Sequence, residues 1–232
     1  MKDVEFFDCK IADLSLDMHE VYLLMGYGLH TPDKGTMSLI EEISNELNRL
    51  LTPHFGYVLV DGNIPERGKI QLADMLFSPG FTITNAMKDA DKYAVFTATI
   101  GIEFDRFIKK LKDEDDILRV FIADAIGSVL AEATVSYLMC KLESIAMKES
   151  MKISNNYSPG YCDWFLSEQK KLFTLFPEGS THITLTDSSL MLPVKSVSGI
   201  VAIGKDVKRR EYGCDICKMA SCIKNKKKQL TT

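Results

Sequence analysis

The stretch from about Asp116 to Ala146 constrains the fold more than any other part of the chain. Ile122, Ile126, Val129, Ala133 and Tyr137 recur every three or four residues, the spacing of one face of an α-helix. An acidic run, Asp113-Glu114-Asp115-Asp116, stands where the positive end of a helix dipole favours negative charge. Asp124, Ser128, Glu132 and Ser136 stand four apart and form a polar stripe in a segment otherwise dominated by apolar and small residues. Two readings of that stripe stand. It is the solvent face of the helix, or, because desolvating a carboxylate is costly, Asp124 and Glu132 are kept for a binding site.

The other elements are shorter. Thr36 to Leu51 places Leu39, Ile40, Ile43, Leu47 and Leu50 at helical spacing, and Pro53 ends the helix. Gly56 to Val60, Thr82-Ile83-Thr84 and Tyr93 to Ile102 are β-prone, and Phe104 to Leu111 reads as a short helix. Asn155 to Asp163 is a turn-rich loop carrying Pro159-Gly160. Trp164 to Leu175 resumes helical spacing, and Thr181 to Leu185 and Ser196 to Ile203 read as strands. Several connections are too short for crossover helices, so the expected class is α+β, with a mixed, largely antiparallel twisted sheet. No linker divides the chain, which predicts one domain over residues 1–232 with a Cys- and Lys-rich appendix at 205–232.

Composition narrows the function classes. The 232 residues are 46% hydrophobic and 26% charged, the balance of a soluble globular protein. A net charge of -4 gives no overall basic field for nucleic acid. Positive charge gathers from Lys205 to Lys228, without the aromatic context of a nucleic-acid site, and Asn225 to Thr232 reads as a solvated tail. No apolar run suggests a leader or a membrane span, which predicts a cytoplasmic protein with no membrane partner. Six cysteines are then expected to be thiols, metal ligands or reactive groups rather than disulfides.

Nucleotide-binding glycine loops, nucleophile elbows and HExxH patterns are missing. His19, His30, His54 and His182 are scattered and are expected to be surface or structural. The C-terminal Cys214-Asp-Ile-Cys217, with Cys222 beyond it, has spacing that can grip one metal. Zinc, an iron–sulfur cluster or plain thiols all fit, with Cys9, Cys140 or Cys162 as a possible fourth ligand.

Three segments resemble one family. Asp124-Ala-Ile-Gly-Ser-Val-Leu-Ala-Glu132-Ala133 is similar to the helix carrying the "AEA" element of cobalamin-dependent methionine synthase activation domains. Tyr157-Ser-Pro-Gly-Tyr161 is similar to the family's Arg-x-(Ala/Ser)-Pro-Gly-Tyr loop. Leu185-Thr-Asp-Ser-Ser-Leu-Met-Leu-Pro193-Val-Lys-Ser196-Val-Ser198-Gly199 aligns without gaps to Leu-Thr-Glu-Ser…Met-x-Pro-x-x-Ser-Val-Ser-Gly. They occur in the family's order and span Asp124 to Gly199, and the C-terminal cysteines resemble those of free-standing members. About residues 1–90 are not aligned to the family by these motifs.

The resemblance implies S-adenosylmethionine as cofactor, with Glu132 at its amino group. It implies that Ser158, Pro159 and Gly160 offer backbone groups to it and that Tyr161 faces a corrinoid. Ser196 and Ser198 line the same cleft on this reading. Asn156 stands where the family has a carboxylate-gripping arginine, and Lys152 and Lys195 are the available substitutes. The implied function is reductive methylation of a cobalamin (vitamin B12) cofactor held by a corrinoid-binding methyltransferase partner, acting in trans, with a flavodoxin-like electron donor. Two other readings stand beside it: a corrinoid-protein docking module or chaperone without S-adenosylmethionine binding, and a cysteine-cluster redox donor to cobalt.

Overall fold

The computed structural model describes residues 4–209. Its centre is a five-stranded, fully antiparallel sheet made of β1 (Val4–Asp8), β2 (His54–Val60), β6 (Lys92–Thr99), β7 (Lys152–Tyr157) and β10 (Ser196–Gly204), in the order β1-β2-β6-β10-β7. A three-stranded antiparallel sheet is formed by β3 (Gly62–Glu66), β4 (Lys69–Leu72) and β5 (Met75–Phe77). Strands β8 (Thr184–Leu185) and β9 (Met191–Leu192) make a small hairpin.

The central strands are apolar on both sides, and each side has its own core. Phe55, Tyr57, Ala94, Phe96, Ala98, Val201 and Ile203 face a helical layer. That layer holds α1 (Met18–Leu24), α2 (Lys34–Leu50), α4 (Ile102–Asp113) and α5 (Ile117–Lys148). Val58, Val60, Tyr93, Val95, Ile200 and Ala202 face the opposite way, against Ile70, Leu72, Phe77, Trp164 and Leu172. On this second side lie the small sheet, α3 (Gly80–Ala86) and α6 (Gln169–Phe173).

Helix α5 is the long helix expected from the sequence, two residues longer at its C-terminal end. Asp116 caps it by accepting the Arg119 N–H at 3.0 Å. The helix packs across β2, β6, β10 and β7 and against α2 and α4, and Phe121, Asp124, Ser136 and Cys140 stay exposed along its outer side. Ser128 and Glu132 are half-buried. In α2, Ile40, Ile43 and Leu47 are buried as the spacing requires, whereas Leu50 is exposed at the last turn.

Several expectations are corrected. Thr82-Ile83-Thr84 lies in α3, not in a strand: the Thr84 hydroxyl bonds the Gly80 carbonyl a turn back at 3.1 Å, and burial of Ile83 outweighs β-branched propensity. The strand expected over Tyr93 to Ile102 stops at Thr99, because Gly101, at φ 97°, turns the chain into α4. The loop expected from Asn155 begins after Tyr157, since Asn156 and Tyr157 pair with Val201 and Ile200. The helix expected from Trp164 starts later. A single 3-10 turn, Leu166–Glu168, precedes α6. Only Thr184 and Leu185 of the strand expected at Thr181 to Leu185 are paired, because His182 sits at φ 54°.

Candidate functional site

The polar stripe of α5 is tied to the strand side of the molecule by one lysine. Lys195, in the turn before β10, places its Nζ 2.8 Å from Asp124 Oδ1 and donates to Ser128 Oγ at 2.8 Å. Ser128 Oγ in turn donates to the Asp124 carbonyl at 3.0 Å. The Lys195 side chain is 12% exposed and rests over the Phe104 ring. One helical turn beyond Ser128 stands Glu132.

Helix α5 and β10 run in the same direction, because α5 feeds β7, which is antiparallel to β10. Eight residues of helix carry Glu132 about 12 Å past Asp124. Four residues of strand carry Gly199 about 13 Å past Lys195. Since Lys195 bonds Asp124, Glu132 and Gly199 stand at a similar height along the pair.

Gly199 sets the close approach of the next strand. A Cβ there would fall 2.4 Å from the Tyr157 carbonyl oxygen and 2.9 Å from Ser158 Oγ. The same Cβ would meet the Phe96 ring, which belongs to the α5-side core, so Ser158 points to that side. Asn156 pairs with Val201, another α5-side residue, and shares its face. Glu132, Asn156 and Ser158 therefore lie on one side of the sheet. Ser196 and Ser198 do not join them: Thr99 and Thr97, their partners on β6, alternate with the residues of the α5-side core. Ser196 Oγ lies 2.7 Å from the Pro193 carbonyl oxygen and 2.8 Å from Thr99 Oγ1. Ser198 is buried, and its Oγ, like Thr97 Oγ1 and His54 Nε2, has no hydrogen-bond partner among the described residues.

The loop after β7 is a tight turn. The Tyr161 N–H donates to the Ser158 carbonyl at 3.2 Å, with Pro159 and Gly160 at the two central positions. Gly160 has φ 94°, a left-handed value that glycine adopts without penalty and that suits the third residue of a type II turn. Cys162 and Asp163 follow at φ 51° and 70°, an uncommon pair for non-glycine residues. Pro159 is buried, whereas Tyr161 is 57% exposed and Phe165 73%.

A buried anchor holds this strained loop. The Gly160 N–H donates to the Trp164 carbonyl at 2.7 Å. Trp164 is fully buried against Phe77, and its indole N–H donates to Glu168 Oε2 at 2.8 Å. The same oxygen accepts the Ser78 N–H at 2.7 Å, and Glu168 Oε1 accepts from Lys171 at 2.9 Å. Desolvation pushes the Glu168 carboxyl up, but these three donors outweigh it and hold its pKa below the ordinary value. The sequence reading missed this anchor. Its signal was the chain's single tryptophan with a glutamate one turn later.

The cysteine motif, Cys214, Cys217 and Cys222, lies outside the described residues. Among the described residues no three His, Cys, Asp or Glu side chains gather as a metal site. Cys9 is buried, and desolvation, Asp13 and Asp8 push its thiol up to about 11, which disfavours a thiolate ligand. His54 and His182 come together unexpectedly, stacked at 4.0 Å, with His54 Nδ1 2.8 Å from Asp8 Oδ1. A hollow of about 360 Å3 opens beside Met147, Lys152 and Arg209, and one of about 230 Å3 beside Leu16, Ser44 and Leu130. Neither is lined by Glu132 or the 158–161 turn. No described helix is long and apolar enough to cross a membrane.

Comparison with known proteins agrees with the three motif segments. No curated protein matches the chain. The crystal structure of the MetH reactivation domain bound to AdoHcy superimposes with a TM-score of 0.67 at 17% identity, covering 88% of this chain and 79% of that one. That likeness shows a shared fold of helices and antiparallel sheets. A family model, described as "Vitamin B12 dependent methionine synthase, activation domain", matches residues 68–222. The chain belongs to the family of vitamin B12-dependent methionine synthase activation domains.

Proposed function

We propose that this chain binds S-adenosylmethionine on the α5 side of its sheet and presents the sulfonium methyl group to a corrinoid held by a methyltransferase. The observation that carries the reading is the common side shared by Glu132, Asn156 and Ser158, with Glu132 level with the β7 turn. The half-buried Glu132 carboxylate suits an α-ammonium partner, which a charge-assisted hydrogen bond would hold. Gly160 allows close backbone approach, and the exposed Tyr161 offers a flat apolar surface to a corrin ring. The AdoHcy bound to the MetH reactivation domain, a structure of the same fold, supports this ligand class. S-adenosylmethionine supplies the methyl group, and the protein's part is to position it and exclude water.

On this reading the corrinoid is carried by a partner protein, the electron comes from a flavodoxin-like donor, and the work is done in the cytoplasm. Calorimetric titration tests it. Millimolar S-adenosylmethionine is expected to bind the intact chain, and Glu132→Ala to weaken binding at least tenfold, as loss of a charged hydrogen bond of about 1.5–3 kcal/mol implies. Absence of any binding to the intact chain would sink the proposal. A corrinoid-docking module without S-adenosylmethionine is the second reading, favoured by the neutral Asn156 and by the apolar exposure of Tyr161 and Phe165. Corrinoid-protein binding in the absence of S-adenosylmethionine binding would select it.

A further inference from the structure

We propose that Lys195 is the residue that selects a ligand with a free α-carboxylate. The inference rests on the reading that Glu132 holds the ligand's α-ammonium. An α-amino acid head group carries both charges within a few ångströms, so a site that recognises it whole needs an anion and a cation at matching separation.

Lys195 meets that requirement from an unusual position. Its side chain is nearly buried, at 12% exposure, although it belongs to a turn. It reaches across to α5 and sits 2.8 Å from Ser128 Oγ, one turn before Glu132. Residues four apart on a helix have Cβ atoms about 5–6 Å from each other. Helical side chains lean toward the N-terminus, so the Glu132 carboxylate leans back toward Ser128 and the ammonium it holds. The result is a cation and an anion on adjacent turns of one polar stripe.

Lys195 also keeps bonding capacity. An ammonium has three N–H donors, and Asp124 and Ser128 engage two of them. Asp124 is 62% exposed, so solvent screens its share of the pair, and a ligand carboxylate can compete for the charge. Asn156, on the same side of the sheet, offers only neutral hydrogen bonds. Among the described residues, Lys195 is a cation held on this stripe by two contacts. The charge that discriminates the carboxylate thus comes from the turn before β10, not from β7.

The test compares S-adenosylmethionine with its decarboxylated form, S-adenosyl-3-methylthiopropylamine, by calorimetry on the full chain. The wild type is expected to prefer S-adenosylmethionine by about ten- to a hundredfold. Lys195→Met should erase that preference by weakening S-adenosylmethionine alone, and Lys195→Arg should keep it. If Lys195→Met does not fold, Asp124→Asn decides the matter: removing the competing carboxylate should tighten S-adenosylmethionine several-fold and leave the decarboxylated compound unchanged. A Lys195→Met protein that retains the wild-type preference would overturn the assignment, as would weaker S-adenosylmethionine binding in Asp124→Asn. A wild type that binds both compounds equally refutes Lys195 alone. A wild type that binds neither refutes the Glu132 site beneath it.

Discussion

At the residue scale, Gly199 shows how one missing methyl group sets the approach of β7 to β10. The antiparallel register puts Gly199 beside the Tyr157 carbonyl and Ser158, on the face that looks toward α5. With a Cβ at position 199, β7 would have to move away from β10, and Asn156 and Ser158 would move with it. Gly199→Ala is expected to cost about 1–3 kcal/mol, the usual range for overpacking a tight core, and a shift in the urea midpoint measures it. The same variant should weaken S-adenosylmethionine binding more than the stability loss accounts for, because the β7 turn is displaced. The glycine was legible in the sequence as the end of the Ser-Val-Ser-Gly run, but its reason was not. The serines next to it attracted the functional reading, and strand alternation then sent both of them to the far side. Period-2 alternation was visible in sequence. Which of the two faces would meet α5 was not, since that depends on the neighbour across the sheet.

At the scale of elements, the strained turn after β7 depends on Glu168. Its carboxylate is nearly buried, accepts three hydrogen bonds and links the Trp164 indole, the Ser78 backbone and Lys171. Glu168→Gln removes the charge and is expected to cost about 1.5–3 kcal/mol, the range for a hydrogen bond to a charged group. The pH dependence has a definite sign. A carboxyl whose pKa is depressed on folding binds fewer protons when folded than when unfolded, so it stabilises the fold above the ordinary value of 4.5. That stabilisation is lost as pH falls through 4.5 and on through the lowered value. The stability gap between wild type and Glu168→Gln should therefore be full at pH 7 and shrink in acid, as paired urea titrations would record. A gap that stays constant from neutral pH to pH 3 contradicts the role given to this carboxylate. Sequence periodicity read Trp164 to Leu175 as one helix, because Phe165, Leu172 and Phe173 fit a 3.6-residue repeat. The burial of Trp164 against Phe77, a contact across nearly ninety residues of chain, decides otherwise. Local pattern carries no information about such a contact. Where an element makes its own case, as in α5 or α2, the boundaries came out within two residues.

At the scale of the whole molecule, α5 couples stability to the polar stripe, because the same helix fills the core and carries that stripe. Leu138 and Ile122 are fully buried on it, and Leu138→Ala should cost about 2–5 kcal/mol by leaving a cavity in the core. Ligand binding should act on the same framework. A ligand bridging Glu132 on α5 and the turn after β7, as proposed, would bind the folded chain and not the unfolded one, and so would stabilise the fold by mass action. At a hundred times its dissociation constant that amounts to about 2.7 kcal/mol. For a domain of this size each kcal/mol raises the midpoint of melting by about 2–4 °C, which makes the expected shift roughly 5–10 °C. The shift should be lost in Glu132→Ala and survive in Leu138→Ala, although the latter starts from a lower melting point. That pattern separates a site built on α5 from general stabilisation by a charged solute. A uniform shift in all three proteins would mean that the ligand acts somewhere other than the polar stripe.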